Sequence, residues 1–120
     1  MVIVAVAGDS AIGAVEDCAA HGVKVAVVMA SGFGEVDAVA GKAKERRMVE
    51  AARKTGMRIV GPNSQGLANF GTGAIASFST MFMDMDRAEG HVAMLSQSGA
   101  LSTVPASARH RRASHARDRQ

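Results

Sequence analysis

Met57-Arg-Ile-Val-Gly-Pro-Asn-Ser-Gln-Gly66 runs three β-prone residues directly into a loop of turn-formers. Pro62 fixes its own φ and biases Gly61 toward an extended conformation. Asn63 and Ser64 can hydrogen-bond nearby backbone, and Gly66 tolerates positive φ. A buried strand therefore ends in a rigid polar loop. In open α/β sheets, ligands bind at that place, outside the carboxyl ends of the strands. An ordinary strand-to-loop turn would use the same residue types, so the neighbouring segments have to decide.

Upstream the pattern repeats twice. Val2-Ile-Val-Ala-Val-Ala7 is a continuous apolar run, and Val23-Lys-Val-Ala-Val-Val-Met29 is apolar apart from Lys24. Continuous rather than alternating runs predict strands buried on both faces, as in a parallel sheet. Lys24 marks the solvent end of the second. Asp9 or Ser10 can cap a helix running to about His21, with Ile12, Val15 and Ala19 on one face and Gly22 as its stop. A second helix is predicted over about 37–55. Its apolar stripe is Val39, Ala43, Met48, Ala51 and Ala52, with a Glu50–Lys54 pair at i,i+4 and Gly56 as its stop. The order β-α-β-α-β implies right-handed crossovers and an α/β fold: a parallel sheet flanked by helices.

Downstream of Gly66 the texture changes. Ala74-Ile-Ala-Ser-Phe78 suits a short strand. The Met81–Asp86 cluster reads as adaptable packing, and residues 87–90 as a turn. His91-Val-Ala-Met-Leu95 is predicted as a further buried strand, ending in Ser96-Gln-Ser-Gly99 with a helix starting near Ala100. From Pro105 onward no large apolar residue occurs. That segment is expected to be disordered, or to be an out-of-frame product.

Hydrophobic residues make up 48% of the 120, but Trp and Tyr are absent and only four Phe occur. Bases therefore have no aromatic platform to stack on. The net charge of +3 is misleading, because residues 105–120 carry five Arg against one Asp. The remainder holds nine basic against ten acidic residues. Nucleic acid is not an expected partner. Cys18 is the only cysteine, so no internal disulfide can form, which fits a cytoplasmic setting. No apolar run approaches the ~20 residues of a membrane span, so no membrane partner is expected.

Two strand-to-loop junctions can carry chemistry. The loop 61–66 is one. Ser96-Gln97-Ser98-Gly99 is the sharper, because a strand, hydroxyls and a helix start gather N–H donors that suit an anion. A serine there can equally serve as a simple helix cap. Gly32-Phe33-Gly34 lacks the third glycine of a dinucleotide fingerprint. No Walker A, HExxH or GxSxG sequence is present. The four histidines have no ligand spacing on one helix face.

Taken in order, Gly22-Val-Lys24, Ser31-Gly-Phe-Gly-Glu35, Gly61-Pro-Asn63 with Gly66, and Ser96-Gln-Ser-Gly-Ala-Leu101 resemble NDP-forming acyl-CoA synthetases. The α subunit of succinyl-CoA synthetase belongs to this group. The resemblance covers roughly residues 2–104. It implies the second half of a Rossmann-like CoA-binding domain over 1–62 and the start of a flavodoxin-like ligase domain over 63–104, with 105–120 as a basic tail. It implies that Val6, Ala7 and Gly8, then Met29, Ala30, Ser31 and Gly32, with Asn63, approach coenzyme A. It implies that Ser96, Gln97, Ser98 and Gly99 point a helix N-terminus at the phosphate of a phosphohistidine. Ala7 stands where members often carry proline, and Ser64 where they often carry cysteine. No catalytic residue and no metal ligand is implied within the chain.

The function implied is a fragment of an acid–thiol ligase. Its parent would join an acid to CoA at the expense of a nucleoside triphosphate, leaving a nucleoside diphosphate and phosphate. NTP and Mg would enter only through absent domains. An ATP-grasp subunit or domain, or a second copy of the chain, would be partners. The alternatives are a stand-alone CoA- or nucleotide-binding module without catalysis, and a non-enzymatic interaction protein.

Overall fold

A computed structural model describes residues 1–82 and 91–102. Most of the Met-rich stretch, the expected 87–90 turn and the basic tail fall outside the described residues. The chain divides into two compact units, the first Met1–Gly66 and the second beginning at Leu67.

In the first unit the elements are β1 (Val2–Val4), α1 (Ser10–Ala20), β2 (Val25–Val28), α2 (Ala40–Thr55) and β3 (Arg58–Val60). The sheet order is β1-β2-β3 and both pairings are parallel. Val2 lies opposite Ala26 and Val4 opposite Val28, while Ala26 lies opposite Ile59 and Val27 opposite Val60. Two right-handed crossovers advancing in one direction put both helices on the same face of the sheet.

That face holds the core. Val4, Ala26 and Val28 meet Ala11, Ile12, Val15 and Ala19 of α1, Met48 and Ala52 of α2, and Phe33 of the intervening loop. Full burial of each large apolar side chain contributes about 1.5–3 kcal/mol. The β2 residues Ala26, Val27 and Val28 are all fully buried, as a strand covered on both faces should be. β1 is different. It is three residues long, and Val2 and Ile3 are exposed. A strand at the sheet edge has one neighbour, and both helices lie on the other face. Its apolar run is therefore half-buried rather than doubly covered.

α1 has the expected face, and His21 follows it as C-cap. Its ring Nδ1 lies 2.8 Å from the Asp17 carbonyl oxygen. Asp9 sits at the N-cap position but makes no side-chain cap bond. Its carboxylate pairs with Lys44 of α2 at 2.5 Å instead. α2 begins three residues later than the apolar pattern implies. The Asp37 carboxylate accepts from the Val39 and Ala40 amides, each at 2.8 Å, and this defines the helix start. Val39 and Ala43 are exposed, so the buried stripe is Gly41, Met48 and Ala52, with Ala51 partly covered. Gly56 closes α2 in the left-handed conformation, as expected.

From the last residue of the first unit onward come β4 (Gly66–Asn69), β5 (Ala74–Ser77) and a 3₁₀ turn, Thr80–Phe82. β4 pairs with β5 across a short turn, in which the Asn69 side-chain oxygen accepts from the Thr72 amide at 3.1 Å. β5 matches the expected strand. β4 has no β-branched residue to signal it; its pairing partner makes it a strand. The run 91–95 is a correction. It forms no strand, and Val92, Met94 and Leu95 are exposed. A short apolar strand persists only where neighbours pair its backbone and cover its faces, and no described strand does either.

Candidate functional site

All three strands of the first unit run in one direction, so their carboxyl ends share one edge. Three loops rise there: 5–9 after β1, 29–39 after β2 and 61–65 after β3. Backbone bonds join them to the strands and to one another. The Met29 amide donates to the Val4 carbonyl at 3.0 Å, Ser64 to Val28 at 3.3 Å, and Asn63 to Ala30 at 2.8 Å. The last bond ties the Gly-Pro-Asn loop to the β2 loop directly.

The Gly61–Gly66 loop is as tightly specified as its residues suggest, though not by extension at Gly61. Gly61 has φ of +104°, and a Cβ there would sit 2.3 Å from the Val28 carbonyl oxygen. Only glycine permits both the dihedral and the approach. The Gly61–Pro62 peptide is cis, and Asn63 is left-handed at φ 54°. The Ser64 hydroxyl accepts from the Gly66 amide at 3.0 Å, an internal brace of the predicted kind.

The β2 loop carries a feature to which its sequence alone assigns no role. Glu35 accepts from the Gly32 amide at 2.6 Å and the Phe33 amide at 3.2 Å, and Glu45 of α2 accepts from the Gly34 amide at 2.9 Å. The Gly32 bond, then further backbone amides, hold the Glu35 carboxyl below its ordinary value. The amides of Ala40 and Val39 do the same for Asp37. Phe33 anchors the loop from below, at 1% exposure. A Cβ on Gly41 would meet the Phe33 carbonyl oxygen at 2.0 Å, so loop and helix backbones touch. The only sequence signal for this arrangement is a glutamate three residues after Gly32. Glu45 is eleven residues from its partner and gives no local signal.

Val6, Ala7, Gly8, Ser31, Gly32 and Asn63 are exposed on this edge, and Met29 and Ala30 are half-buried. The structure thus gathers the three predicted loop sets at one end of one sheet. A groove of about 370 Å³ lies elsewhere, lined by Glu16, Ala19, Ala20, Arg47, Glu50 and Ala51 among others. These belong to the middle and carboxyl-terminal parts of α1 and α2. In a parallel α/β unit the carboxyl-terminal ends of the helices approach the opposite edge of the sheet.

Ser96–Gly99 belongs to the second unit. The Ser98 amide donates to the Ser96 hydroxyl at 3.0 Å, and the Ser96 hydroxyl donates to the Ser98 carbonyl at 2.9 Å. The Leu101 amide reaches the Ser98 hydroxyl at 3.4 Å, with residues 99–102 helical. Ser98 is thus a helix cap. Gln97 is exposed. Among the described residues, no group of three or more His, Cys, Asp or Glu could hold a metal ion, and no helix is long and apolar enough to cross a membrane.

A parallel α/β unit with its loops gathered at the strand ends belongs to the open-sheet class, in which ligands bind outside the carboxyl ends of the strands. Comparison with known proteins narrows that class: the chain is homologous to ADP-forming acetate–CoA ligases and corresponds to a segment of them. It is 44% identical over 85 residues to the α subunit of acetate–CoA ligase (ADP-forming) II of Pyrococcus furiosus, covering 71% of this chain and 17% of that one. It is 36% identical over 99 residues to acetate–CoA ligase (ADP-forming) II of Archaeoglobus fulgidus, covering 82% and 14%. A crystal structure of a Pyrococcus horikoshii OT3 protein superposes with a TM-score of 0.79 at 35% identity, covering 92% of this chain and 24% of that one. The "dinucleotide forming" acetyl-coenzyme A synthetase 1 of Ca. Korarchaeum cryptofilum, solved with phosphate and ADP, gives 0.73 at 34% identity, covering 91% and 22%. The chain spans less than a fifth of the length of the curated relatives it matches. No protein-family profile matches it.

Proposed function

We propose that the chain supplies coenzyme A and phosphate positioning to an ADP-forming acyl-CoA synthetase. The reaction joins an acid to CoA as ATP is converted to ADP and phosphate. The observation that carries this reading is the gathering of residues 6–8, 29–32 and Asn63 at the carboxyl edge of one parallel sheet, cross-tied by the Asn63–Ala30 bond. The edge offers exposed backbone and small side chains, which let a long, flexible ligand lie close to the main chain. The amino end of α1 opens at this edge and favours the anionic part of such a ligand. None of the loop residues 6–8 and 29–32 is a titratable acid, base or thiol, so their part is binding and orientation. Ser96–Gly99 would aim the start of its helix at a transferable phosphoryl group. Partner domains or a partner subunit would bring the nucleotide site.

The test is an NMR titration of the full chain with CoA at millimolar concentration, with ADP and inorganic phosphate run separately. CoA is expected to shift the amides of 6–8 and 29–32. Silence of either loop rejects that part of the site. Phosphate is expected to shift 98–101, and its failure to do so rejects the phosphate assignment.

A further inference from the structure

The loop after β2 is fixed at both ends by contacts that do not involve its exposed span. At the near end the Ala30 carbonyl accepts from Asn63. At the far end Phe33 is buried, and Gly34 donates to Glu45 of α2. Between them Ser31 and Gly32 are exposed. The tie on this span is Glu35, whose two carboxylate oxygens take the Gly32 and Phe33 amides at 2.6 and 3.2 Å. Charge-assisted bonds to a carboxylate are short and directional. Glu35 is itself exposed and buries nothing in the core. Its removal leaves Phe33, Glu45 and the Asn63 tie in place.

We infer that Glu35 is the positioning residue of this loop: its bidentate carboxylate sets the course of Ser31–Gly32 over the strand ends, so that the loop meets its ligand pre-formed. The ligand, though not the ordering of the loop, rests on the CoA reading above. Free of the carboxylate, the two amides would turn to water and the span would sample several courses. Ordering it on binding would then cost affinity. Glutamine at position 35 keeps one acceptor oxygen but replaces the other with an NH2 donor and removes the charge, so the two-oxygen, charge-assisted grip is weakened.

The experiment compares the full-length chain with Glu35→Ala and Glu35→Gln. It measures amide hydrogen exchange and CoA titrations by NMR. In Glu35→Ala the Gly32 and Phe33 amides are expected to exchange about tenfold faster or more. Amides of α1 and β2 should be unchanged, and CoA should bind roughly threefold to tenfold more weakly. Glu35→Gln should lie between on both readouts. Unchanged exchange at Gly32 and Phe33 in Glu35→Ala overturns the inference. So does faster exchange with CoA affinity equal to wild type. If exchange rises but wild type shows no CoA response, the CoA reading fails while the ordering role of Glu35 stands.

Discussion

Gly61 concentrates two independent constraints in one residue. Its φ of +104° lies where a side chain is strained, and a Cβ added there would fall 2.3 Å from the Val28 carbonyl oxygen, so only a missing side chain allows the approach. That proximity carries the Ser64–Val28 and Asn63–Ala30 bonds, and so the docking of the β3 loop on the β2 loop. Gly61→Ala is expected to lower stability by roughly 2–5 kcal/mol, from strain plus displaced backbone. Gly22 is the matched control. It too has positive φ, at 72°, but open space surrounds its missing Cβ. Gly22→Ala should cost only about 1 kcal/mol. Urea unfolding of both variants separates the effects, and equal losses would show that the close approach carries no energy.

Packing between elements, not charge, holds the first unit together. The ion pairs between α1 and α2, Asp9–Lys44 and Glu16–Arg47, have half-exposed or exposed side chains. Such pairs contribute about 0.2–1 kcal/mol. Phe33 is buried between loop and core and should cost about 3–5 kcal/mol when cut to alanine. Thermal unfolding of Phe33→Ala, Lys44→Ala and Arg47→Ala is expected to follow that order, and a Lys44→Ala loss matching that of Phe33→Ala would refute it. The same contrast explains what could be read in advance. Val25–Met29 is apolar without interruption, and all of Ala26, Val27 and Val28 in β2 are buried. Ile12, Val15 and Ala19 have helical spacing, and α1 buries them. The run 91–95 has the same texture, but burial also needs partners, which a strand's own residues cannot announce. Val39 fitted the stripe of α2, but Asp37 starts that helix too late to bury it. Of the candidate site, the residues alone marked the loop 61–66, and the family resemblance added 6–8 and 29–32. The Glu45 tie and the Gly41 contact were not, since both arise when α2 returns to the loop it follows.

At the scale of the molecule, the question is whether this chain can carry out the reaction of its relatives. It corresponds to 17% of the Pyrococcus furiosus ligase II α subunit. Moving a phosphoryl group requires a nucleophile held in productive geometry against an anion-binding site. Two histidines lie among the described residues. His21 caps the carboxyl end of α1, an eleven-residue helix that starts at the strand-end loops. At ~1.5 Å per residue the helix holds His21 about 16 Å from those loops. His91 stands five residues before Ser96 on an exposed run that forms no strand. His21 cannot serve those loops without refolding, and His91 has no strand pairing among the described residues to hold it in productive geometry. The expected outcome is therefore that the purified chain, given labelled ATP, CoA and a panel of short acids, forms neither phosphoprotein nor acyl-CoA above a buffer control. Acid-labile phosphoprotein would overturn this, and His110 and His115, outside the described residues, would be the first histidines to replace. Acyl-CoA formed without phosphoprotein would overturn it differently, by placing acid activation on a group other than histidine.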